Sequence, residues 1–374
     1  MPNPNQLPLV RKSHQPPTIN DVASLAGVSI ATVSRVINGT SPVSADVAAR
    51  VRRAIAELNF VPHSAARGLA SRKTNTIGLI LPEISGFFFS PLLRGIEEAI
   101  RGKGYDLLVH SSVSRHENGD SPVKKLGTHN TDGLLIYSAS VSDDELTRLN
   151  NHGFPMVLLH QSPPQDLDIP CVTFENKAGA SKIMRHLIEA HGYHRIAFLA
   201  GPESEEDSYW RELGYREALS SYAIPFDQHL ISIGGFDTAV AQDSVTKWLG
   251  QGINFEAIFA SDDDSATGAI NALQRAGLRV PEDIAVVGFD DIYISQYLSP
   301  PLTTIRAPIE LAGFTAARQL IRLIHQEIVE PLVLLPTQLI VRRSCGCPGS
   351  QDKEVKDQDK ENALYASLQE LPEV

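Results

Sequence analysis

Residues 18–39 read Thr-Ile-Asn-Asp-Val-Ala-Ser-Leu-Ala-Gly-Val-Ser-Ile-Ala-Thr-Val-Ser-Arg-Val-Ile-Asn-Gly and predict two short helices joined by a tight turn. Thr18 and Asp21 have the three-residue spacing of a capping box, which stabilises the start of a helix. Gly27 permits the left-handed backbone that ends this helix, and Ser29 is a favourable N-cap for the next one. The stretch therefore has the form of a helix-turn-helix unit.

The second predicted helix has an apolar face and an exposed face. Its inward side chains are predicted to be Val33, Val36 and Ile37. They are expected to share a core with a third helix that begins at Ser44 and has apolar residues at helical spacing, namely Val47, Val51, Ala54, Ile55 and Leu58. The exposed face carries small side chains, a hydroxyl and one arginine, on Ile30, Ala31, Ser34 and Arg35. Such a face suits the major groove of DNA. The alternative is an ordinary helical hairpin that docks on the rest of the protein.

Charge is distributed unevenly along the chain. Residues 1–75 carry nine basic and three acidic side chains, a net charge of +6, whereas the whole chain is at −11 and residues 76–374 are at −17. A basic N-terminal segment on an acidic body concentrates attraction for phosphate in one module. This distribution favours DNA binding over a docking hairpin.

Length and composition limit the remaining organisation. A chain of 374 residues, 42% of them apolar, predicts two or three globular domains. It has no run of eighteen apolar residues, and residues 1–17 lack the apolar segment of a secretory signal, so we expect a cytoplasmic protein without membrane association. Residues 1–17 are expected to be a disordered arm, and residues 348–374 a disordered acidic tail.

From Ile77 onward, short apolar runs alternate with helical stretches, which is the pattern of parallel α/β sheets. The predicted strands are Ile77–Leu81, Tyr105–Val109, Gly133–Tyr137, Met156–Leu159, Arg195–Ala200, Ala257–Ala260 and Ile284–Phe289. The predicted helices are Pro91–Gly102, Ala178–His191, Trp210–Ser220, Ala239–Leu249, Ser265–Ala276 and Ile309–Gln326. This body of about 270 residues exceeds one ordinary sheet, so we predict two α/β lobes with a ligand cleft at the carboxyl ends of their strands.

The sequence lacks the motifs of common enzymes and metal sites. It contains no G-x-S-x-G, H-E-x-x-H or Walker loop. Cys345 and Cys347 form a bare C-x-C pair that would need further ligands nearby, and His186 and His191 do not share a helical face well. The three consecutive acids Asp262–Asp264 point in different directions. We therefore expect no catalytic residues, no metal and no cofactor, and three cysteines favour a reducing compartment.

Seven motifs resemble those of the LacI/GalR (lactose-repressor) family of bacterial transcription regulators. They are residues 18–39, FVPHSAARGLASRKTNTIGLILP at 60–82, LLRGIEEA at 92–99, TDGLLI at 131–136, RELGYREAL at 211–219, VPEDIAVVGFDD at 280–291 and PPLTTIR at 300–306. Chance agreement over seven motifs in this order is negligible. The resemblance implies a small all-α helix-turn-helix DNA-binding domain at 18–62, a hinge helix and linker at 63–75, and a two-lobed α/β core of the periplasmic-binding-protein type at 76–347.

The same resemblance implies a homodimer whose two heads bind a pseudo-palindromic operator in double-stranded DNA. Arg35 falls at a base-reading position and can pair bidentately with guanine. Ile30 and Ala31 fall where the family varies with its operators, and Leu69 falls where a leucine is pushed into the central minor-groove step. The remaining implied contacts, to phosphate or backbone, are Thr18, Ser29, Thr32, Ser34, Asn38 and His63.

In the core, the resemblance implies that a small effector, a sugar or sugar derivative, binds between the lobes. Aromatic rings would stack on it, an arginine would clamp it and carboxylates would accept from its hydroxyls, through Phe88, Phe89, His160, Arg211, Phe236, Asp262 and Asp290. The alternative for Phe88 and Phe89 is core packing. The chain departs from the family pattern at His160, Glu175, Asp262 and Ala307, which indicates a ligand other than a plain neutral hexose.

These features together predict a ligand-responsive transcription regulator, a repressor of carbohydrate-use genes, and not an enzyme. Three alternatives stay open: an activator, a solute-binding protein that feeds a transporter, and an enzyme that uses His160 with Asp290. Leucines at one heptad's spacing in the tail also leave a tetramer open.

Overall fold

The structure is a computed structural model that describes residues 17–39, 41–60, 73–82, 84, 86–112 and 126–348. The chain divides into two compact units, Met1–Thr74 and Asn75–Val374. The predicted arm (1–17), hinge (63–75) and tail (348–374) lie almost entirely outside the described residues. The domain boundaries given above therefore stay predictions.

The described part of the head consists of three helices, α1 (Ile19–Ala26), α2 (Ile30–Asn38) and α3 (Ala45–Leu58). Their ends carry the predicted signals. The Asp21 carboxylate accepts hydrogen bonds from the backbone N–H and the hydroxyl of Thr18, at 2.7 and 2.8 Å. Gly27 is left-handed, with φ of 63°, and Ser29 Oγ accepts from the Thr32 N–H.

A small apolar core joins the three helices of the head. Val22 of α1, Val33 of α2 and Val51 of α3 are fully buried, and Ala54 and Phe60 belong to the same cluster. One valine from each helix at the common centre explains why the 3.6-residue spacing of the sequence identified these helices.

The first lobe of the core is built on a parallel six-stranded sheet. In spatial order its strands are β11 (Leu332–Leu335), β5 (Cys171–Phe174), β4 (Met156–Leu159), β3 (Gly133–Tyr137), β1 (Thr76–Leu81) and β2 (Asp106–Ser111). The flanking helices are α4 (Phe89–Ile100), α5 (Asp143–Asn151) and α10 (Ile309–Ile324). The central strands are buried along nearly their whole length, as a sheet covered on both faces requires.

The second lobe repeats this arrangement with one antiparallel edge strand. In spatial order its strands are β12 (Gln338–Ile340), β10 (Thr303–Arg306), β9 (Ala285–Asp290), β8 (Ala257–Ala260), β6 (Ile196–Ala200) and β7 (Ile231–Ile233). Only β12 runs antiparallel to its neighbour. The helices are α6 (Asn176–His191), α7 (Glu206–Ser221), α8 (Thr238–Gly250) and α9 (Asp263–Arg275).

The chain passes between the lobes three times in the described core, from β5 to α6, from β10 to α10 and from β11 to β12. Residues at or just after the carboxyl ends of β1, β3, β7, β8 and β9 line a common cavity. The two-lobed fold and the position of its cleft are therefore as predicted. No helix of the described residues is long and apolar enough to cross a membrane.

The strands and helices predicted within the described residues all occur, with ends that differ by up to four residues. The predicted hinge helix lies outside these residues. The sequence reading missed β5, β7, β10, β11 and β12, which are only three or four residues long. It also missed α5, a polar helix whose Leu146 and Leu149 are its buried side chains. Strands of three or four residues, and a helix with two buried leucines, carry too few apolar residues to show a period.

The packing of α4 against α10 depends on two glycines. A Cβ atom at Gly95 would collide with the carbonyl oxygen of Glu310, and one at Gly313 would collide with the carbonyl oxygen of Leu92. The two helix backbones therefore lie closer together than any larger residue at these positions allows.

Gly313→Ala should lower the free energy of unfolding by about 1–3 kcal/mol, because backbone atoms, which cannot rotate away, occupy the required space. Equilibrium unfolding in urea measures the effect. Gly250→Ala at the exposed end of α8 is the matched control, since no atom lies within 4 Å of its added Cβ. The control should be neutral or stabilising by up to about 1 kcal/mol. Equal stability of the Gly313 variant and the wild type would contradict the close helix contact.

Candidate functional site: the recognition helix and the interlobe cleft

The exposed face of α2 carries the side chains that the sequence assigned to DNA. Ile30 is 49% exposed, Ala31 and Arg35 are also exposed, and Ser34 is half-buried. At the start of the helix, the hydroxyls of Ser29 and Thr32 share a hydrogen bond of 2.9 Å. The helix therefore offers an apolar tip and one cation to a partner surface.

The other predicted DNA contacts are distributed around the head. Thr18 is exposed directly before α1, where its hydroxyl donates to Asp21, and Asn38 is the last residue of α2. His63 and Leu69 lie outside the described residues. The contact roles of all these positions remain predictions.

A cavity of about 250 Å³ lies between the two lobes of the core. Its described lining residues are Pro82, Gly86, Phe88, Phe89, Tyr137, Glu205, Asp207, Arg211, Gly235, Phe236, Asp262, Asp263, Asp264, Asp290 and Ile292. Six of the seven predicted effector residues are among them, and His160 is not. The cavity combines aromatic rings with several carboxyl groups and one guanidinium, and its volume lies just below the roughly 300 Å³ at which typical small-ligand pockets begin.

Aromatic rings form one side of this cavity. Phe88 and Phe89 lie edge to face, with ring centroids 5.5 Å apart, and Tyr137 packs against them at 5.9 and 5.3 Å. Phe236 enters from the second lobe with a left-handed backbone, φ 56°, and its ring covers Gly201, where a Cβ would collide with it. Phe88 and Phe89 thus pack in the lobe and also face the cavity.

Arg211 lies at the centre of the polar side, although it is only 2% exposed. Its Nε donates to Asn176 Oδ1 at 2.9 Å, and its Nη1 donates to the carbonyl oxygen of Ser261 at 2.6 Å. Its Nη2 lies 3.0 Å from Asp290 Oδ1 and 3.6 Å from Asp207 Oδ2. A buried guanidinium with this many partners is fixed in orientation before any ligand arrives.

Carboxyl groups outnumber cations among the described lining residues, and burial raises the pKa of several of them. Burial, and next the charge of Asp290, raise the pKa of Asp262 to about 7. The same two causes raise the pKa of Asp263 well above its usual value, although Ser295 and Thr304 donate hydrogen bonds to it. Burial also raises the pKa of Asp290, against the opposing effect of Arg211.

His160 is not among the described lining residues, but it contacts one of them, Asp207. Its Nδ1 lies 3.0 Å from Asp207 Oδ2, and its ring packs against Tyr137 and Phe174. Burial alone would raise the pKa of Asp207, but His160 and Arg211 outweigh it and lower that pKa. His160 is thus absent from the described cavity lining, which it contacts through Asp207, and its predicted contact with a ligand stays a prediction.

Sequence reasoning missed several lining residues, notably Tyr137, Glu205, Asp207, Gly235 and Asp264. Tyr137 closes a predicted strand, so its place at a carboxyl end was a usable signal. Asp207 stands one helical turn before Arg211, the spacing at which opposite charges meet on a helix. Glu205 and Gly235 lie in loops, for which the sequence offered no comparable signal.

Comparison with known proteins agrees with this architecture. Residues 18–63 match the family "Bacterial regulatory proteins, lacI family", and residues 184–345 match the "Periplasmic binding protein-like domain". The regulator CelR of Thermobifida fusca is 36% identical over 88% of this chain and 98% of its own. The regulator GalR of Escherichia coli K12 is 32% identical over 87% and 94%.

The chain belongs to the LacI family of bacterial regulatory proteins. Among solved structures, a lac repressor dimer bound to operator and the anti-inducer ONPF is 29% identical, with a TM-score of 0.73 over 88% of this chain and 99% of that one. A CelR–cellobiose complex is 33% identical, with a TM-score of 0.64 over the same shares. The predicted family and fold class are confirmed, and this LacI-family protein is a transcription regulator, as its relatives are.

The raised pKa of Asp262 makes stability depend on pH. Its folded-state pKa is about 7, against about 4 in an unfolded chain, so the folded state holds the extra proton and stability falls as pH rises between these values. Asp262→Asn should flatten this slope by about 1 kcal/mol per pH unit. Unfolding in urea at several pH values between about 5 and 7 measures it.

Asp283→Asn is the control for this series. Asp283 pairs with Arg279 on the surface, and its pKa is lowered to about 2, so it stays ionised throughout the range. Its variant should keep the wild-type slope. An Asp262 variant with an unchanged slope would show that this carboxyl ionises normally in the folded protein.

Proposed function

We propose that this LacI-family regulator is a repressor of carbohydrate-use genes, and that a sugar or sugar derivative bound in the interlobe cavity changes its affinity for an operator. The observation that carries the proposal is the pairing of stacking rings with carboxylates around one fixed arginine. Sugars present apolar ring faces and hydroxyl donors, and this lining offers a partner to each.

Known relatives support a sugar as the ligand. A CelR structure is a complex with cellobiose, lac repressor structures hold ONPF or ONPG, and a LacI-family regulator of Enterococcus faecium holds ribose. In this chain, the excess of carboxyl groups around Arg211 favours a ligand rich in hydroxyl donors. An additional cationic group on the ligand would also be accepted.

For DNA, we propose that the protein acts in the cytoplasm as a homodimer with two-fold symmetry, so that its operator is pseudo-palindromic. Arg35 would read guanine, Ile30 and Ala31 would contact apolar base edges such as the thymine methyl, and Leu69 would enter the central minor-groove step. A lac repressor dimer bound to operator supports this arrangement. Coupling between ligand and operator is reciprocal, because each changes the affinity of the other by one factor.

Binding of the full-length protein to DNA from its own gene neighbourhood, at fixed salt, tests the proposal. Each fragment is measured with and without neutral sugars, disaccharides and sugar acids. The proposal requires a palindrome-dependent complex that one compound weakens or strengthens. Sugar binding without any specific DNA complex would favour a solute-binding protein, and turnover of a sugar would favour an enzyme.

Arg35→Ala should weaken specific operator binding by about 1–3 kcal/mol and relax the preference at one base pair in each half-site, since a bidentate contact to guanine is lost. Arg53→Ala, which removes an exposed charge from α3, is the matched control and should change affinity less and equally for all sequences. Titration against the operator and against single-base variants separates the two. Identical base preference in Arg35→Ala and wild type would rule out base reading by Arg35.

Asp290→Asn should weaken binding of the active compound by tenfold or more, on the order expected for a hydrogen bond to a charged acceptor. Phe236→Ala should weaken it comparably by removing a stacking surface. Asp243→Asn on the exposed side of α8 removes the same charge outside the cavity and should leave affinity unchanged. Calorimetric titration measures the affinity of all three variants. If both cavity variants bind the compound as tightly as wild type, the ligand binds outside this cavity.

A further inference from the structure

Two histidines and two cysteines from distant parts of the sequence meet outside the cleft. His186 and His191 lie in the last turns of α6, whereas Cys345 and Cys347 follow β12 near the end of the described chain. One ligand atom of each, a ring nitrogen or a sulfur, lies within 4.8 Å of those of the other three. The further ligands that a metal site at the C-x-C pair would need are therefore close to it in the fold.

The distances within this cluster are close to those of a tetrahedral metal site. His186 Nε2 lies 3.4 Å from Cys345 Sγ and 3.8 Å from Cys347 Sγ, and His191 Nε2 lies 3.4 Å from Cys347 Sγ. Around a tetrahedral Zn²⁺, with Zn–S of about 2.3 Å and Zn–N of about 2.0 Å, sulfur and nitrogen ligands are separated by about 3.5 Å. Three of the six separations are therefore close to the tetrahedral value, and all six are within 4.8 Å.

The backbone directs both sulfurs to the same place. Gly346 between the two cysteines has φ of 103°, a left-handed value that an L-residue rarely adopts. The turn allows both sulfurs to approach one imidazole nitrogen. On α6, His186 and His191 are five residues apart, and their ring centroids lie 5.1 Å from each other. His191 is the last residue of the helix, directly before left-handed Gly192.

The surroundings also suit a metal-bound thiolate. Cys345 is fully buried, and the Thr303 hydroxyl donates a hydrogen bond to its sulfur at 3.1 Å. The same hydroxyl oxygen accepts a hydrogen bond from the backbone N–H of Arg342. This second bond orients the Thr303 hydroxyl so that its proton points toward the sulfur. Hydrogen bonds of this kind orient metal ligands. Gly346 and Cys347 also line an open groove of about 800 Å³, which gives an ion a route from solvent.

We propose that His186, His191, Cys345 and Cys347 bind one Zn²⁺ ion in a four-coordinate structural site. Two thiolates and two imidazoles are one of the ligand sets of structural Zn²⁺ sites, and four protein ligands leave no open position for catalysis. The ion joins the segment after β12 to the end of α6 and so fixes the last described part of the chain to the second lobe. The site is separate from the interlobe cavity and does not depend on the ligand proposed there.

Metal analysis and Co²⁺ spectroscopy of the full-length protein test the proposal. Protein purified under reducing conditions and dialysed against zinc-free buffer should keep about one Zn²⁺ per chain. Replacement by Co²⁺ should give the intense visible bands of tetrahedral cobalt and a near-ultraviolet thiolate-to-metal band. Stripping the metal should lower the Tm by several degrees, and added Zn²⁺ should restore it.

Variants assign the metal to these four residues. His186→Ala and Cys347→Ala should each lose the bound Zn²⁺ and the thiolate band, and the stripped wild type provides the reference for stability without metal. His194→Ala and Cys171→Ala, which remove a histidine three residues from the cluster and the remaining cysteine, should keep both. Three results would each overturn the proposal: wild type that holds no stoichiometric Zn²⁺, wild type that holds copper or iron instead of zinc, or both cluster variants retaining the metal. The four side chains would then be linked only by thiol–imidazole hydrogen bonds.

Discussion

The buried guanidinium of Arg211 is the interaction on which the organisation of the core cleft depends. It reaches Asn176 at the start of α6, the Ser261 carbonyl after β8 and Asp290 at the end of β9. It also lies over the Phe289 ring, 3.9 Å from its centroid. Three separate strands or helices of the second lobe are thus positioned by one side chain. Because a buried cation is strongly unfavourable without compensation, these partners offset the cost of burying the Arg211 charge.

This arrangement leaves the cleft rich in hydrogen-bond acceptors. Six carboxyl groups and one guanidinium are among the described lining residues, and burial raises the pKa of Glu205, Asp262, Asp263 and Asp290. Among these, Asp290 Oδ1 has no aligned hydrogen-bond partner in the described structure, despite its ion pair with Arg211. A ligand hydroxyl would supply a donor that the protein does not. His160 contacts the cleft indirectly, since it lies 3.0 Å from Asp207 and helps to lower the pKa of that carboxyl.

The sequence predicted the parts of the molecule whose physics is local or periodic. Neighbouring residues alone were enough to predict the capping at Thr18, the left-handed turn at Gly27 and the alternation of buried strands with amphipathic helices. The resemblance to the LacI family, and not local spacing, placed Phe236 and Asp262 in the cleft. The sequence did not predict that Asp207 would pair with His160, or that His186 would meet Cys345 across 159 positions. Both contacts arise from the crossing of elements far apart in the chain, for which local spacing carries no information.

The three passages between the lobes have a consequence for how such proteins diversify. Neither lobe is a continuous stretch of sequence, because α10 and β11 of the first lobe are encoded between β10 and β12 of the second. A recombination event that exchanged one lobe would have to join the chain correctly at several points at once. The head, by contrast, precedes the entire core and is linked to it at one place in the sequence. Heads and whole cores are therefore the natural units of genetic exchange, and individual lobes must evolve together by point substitution.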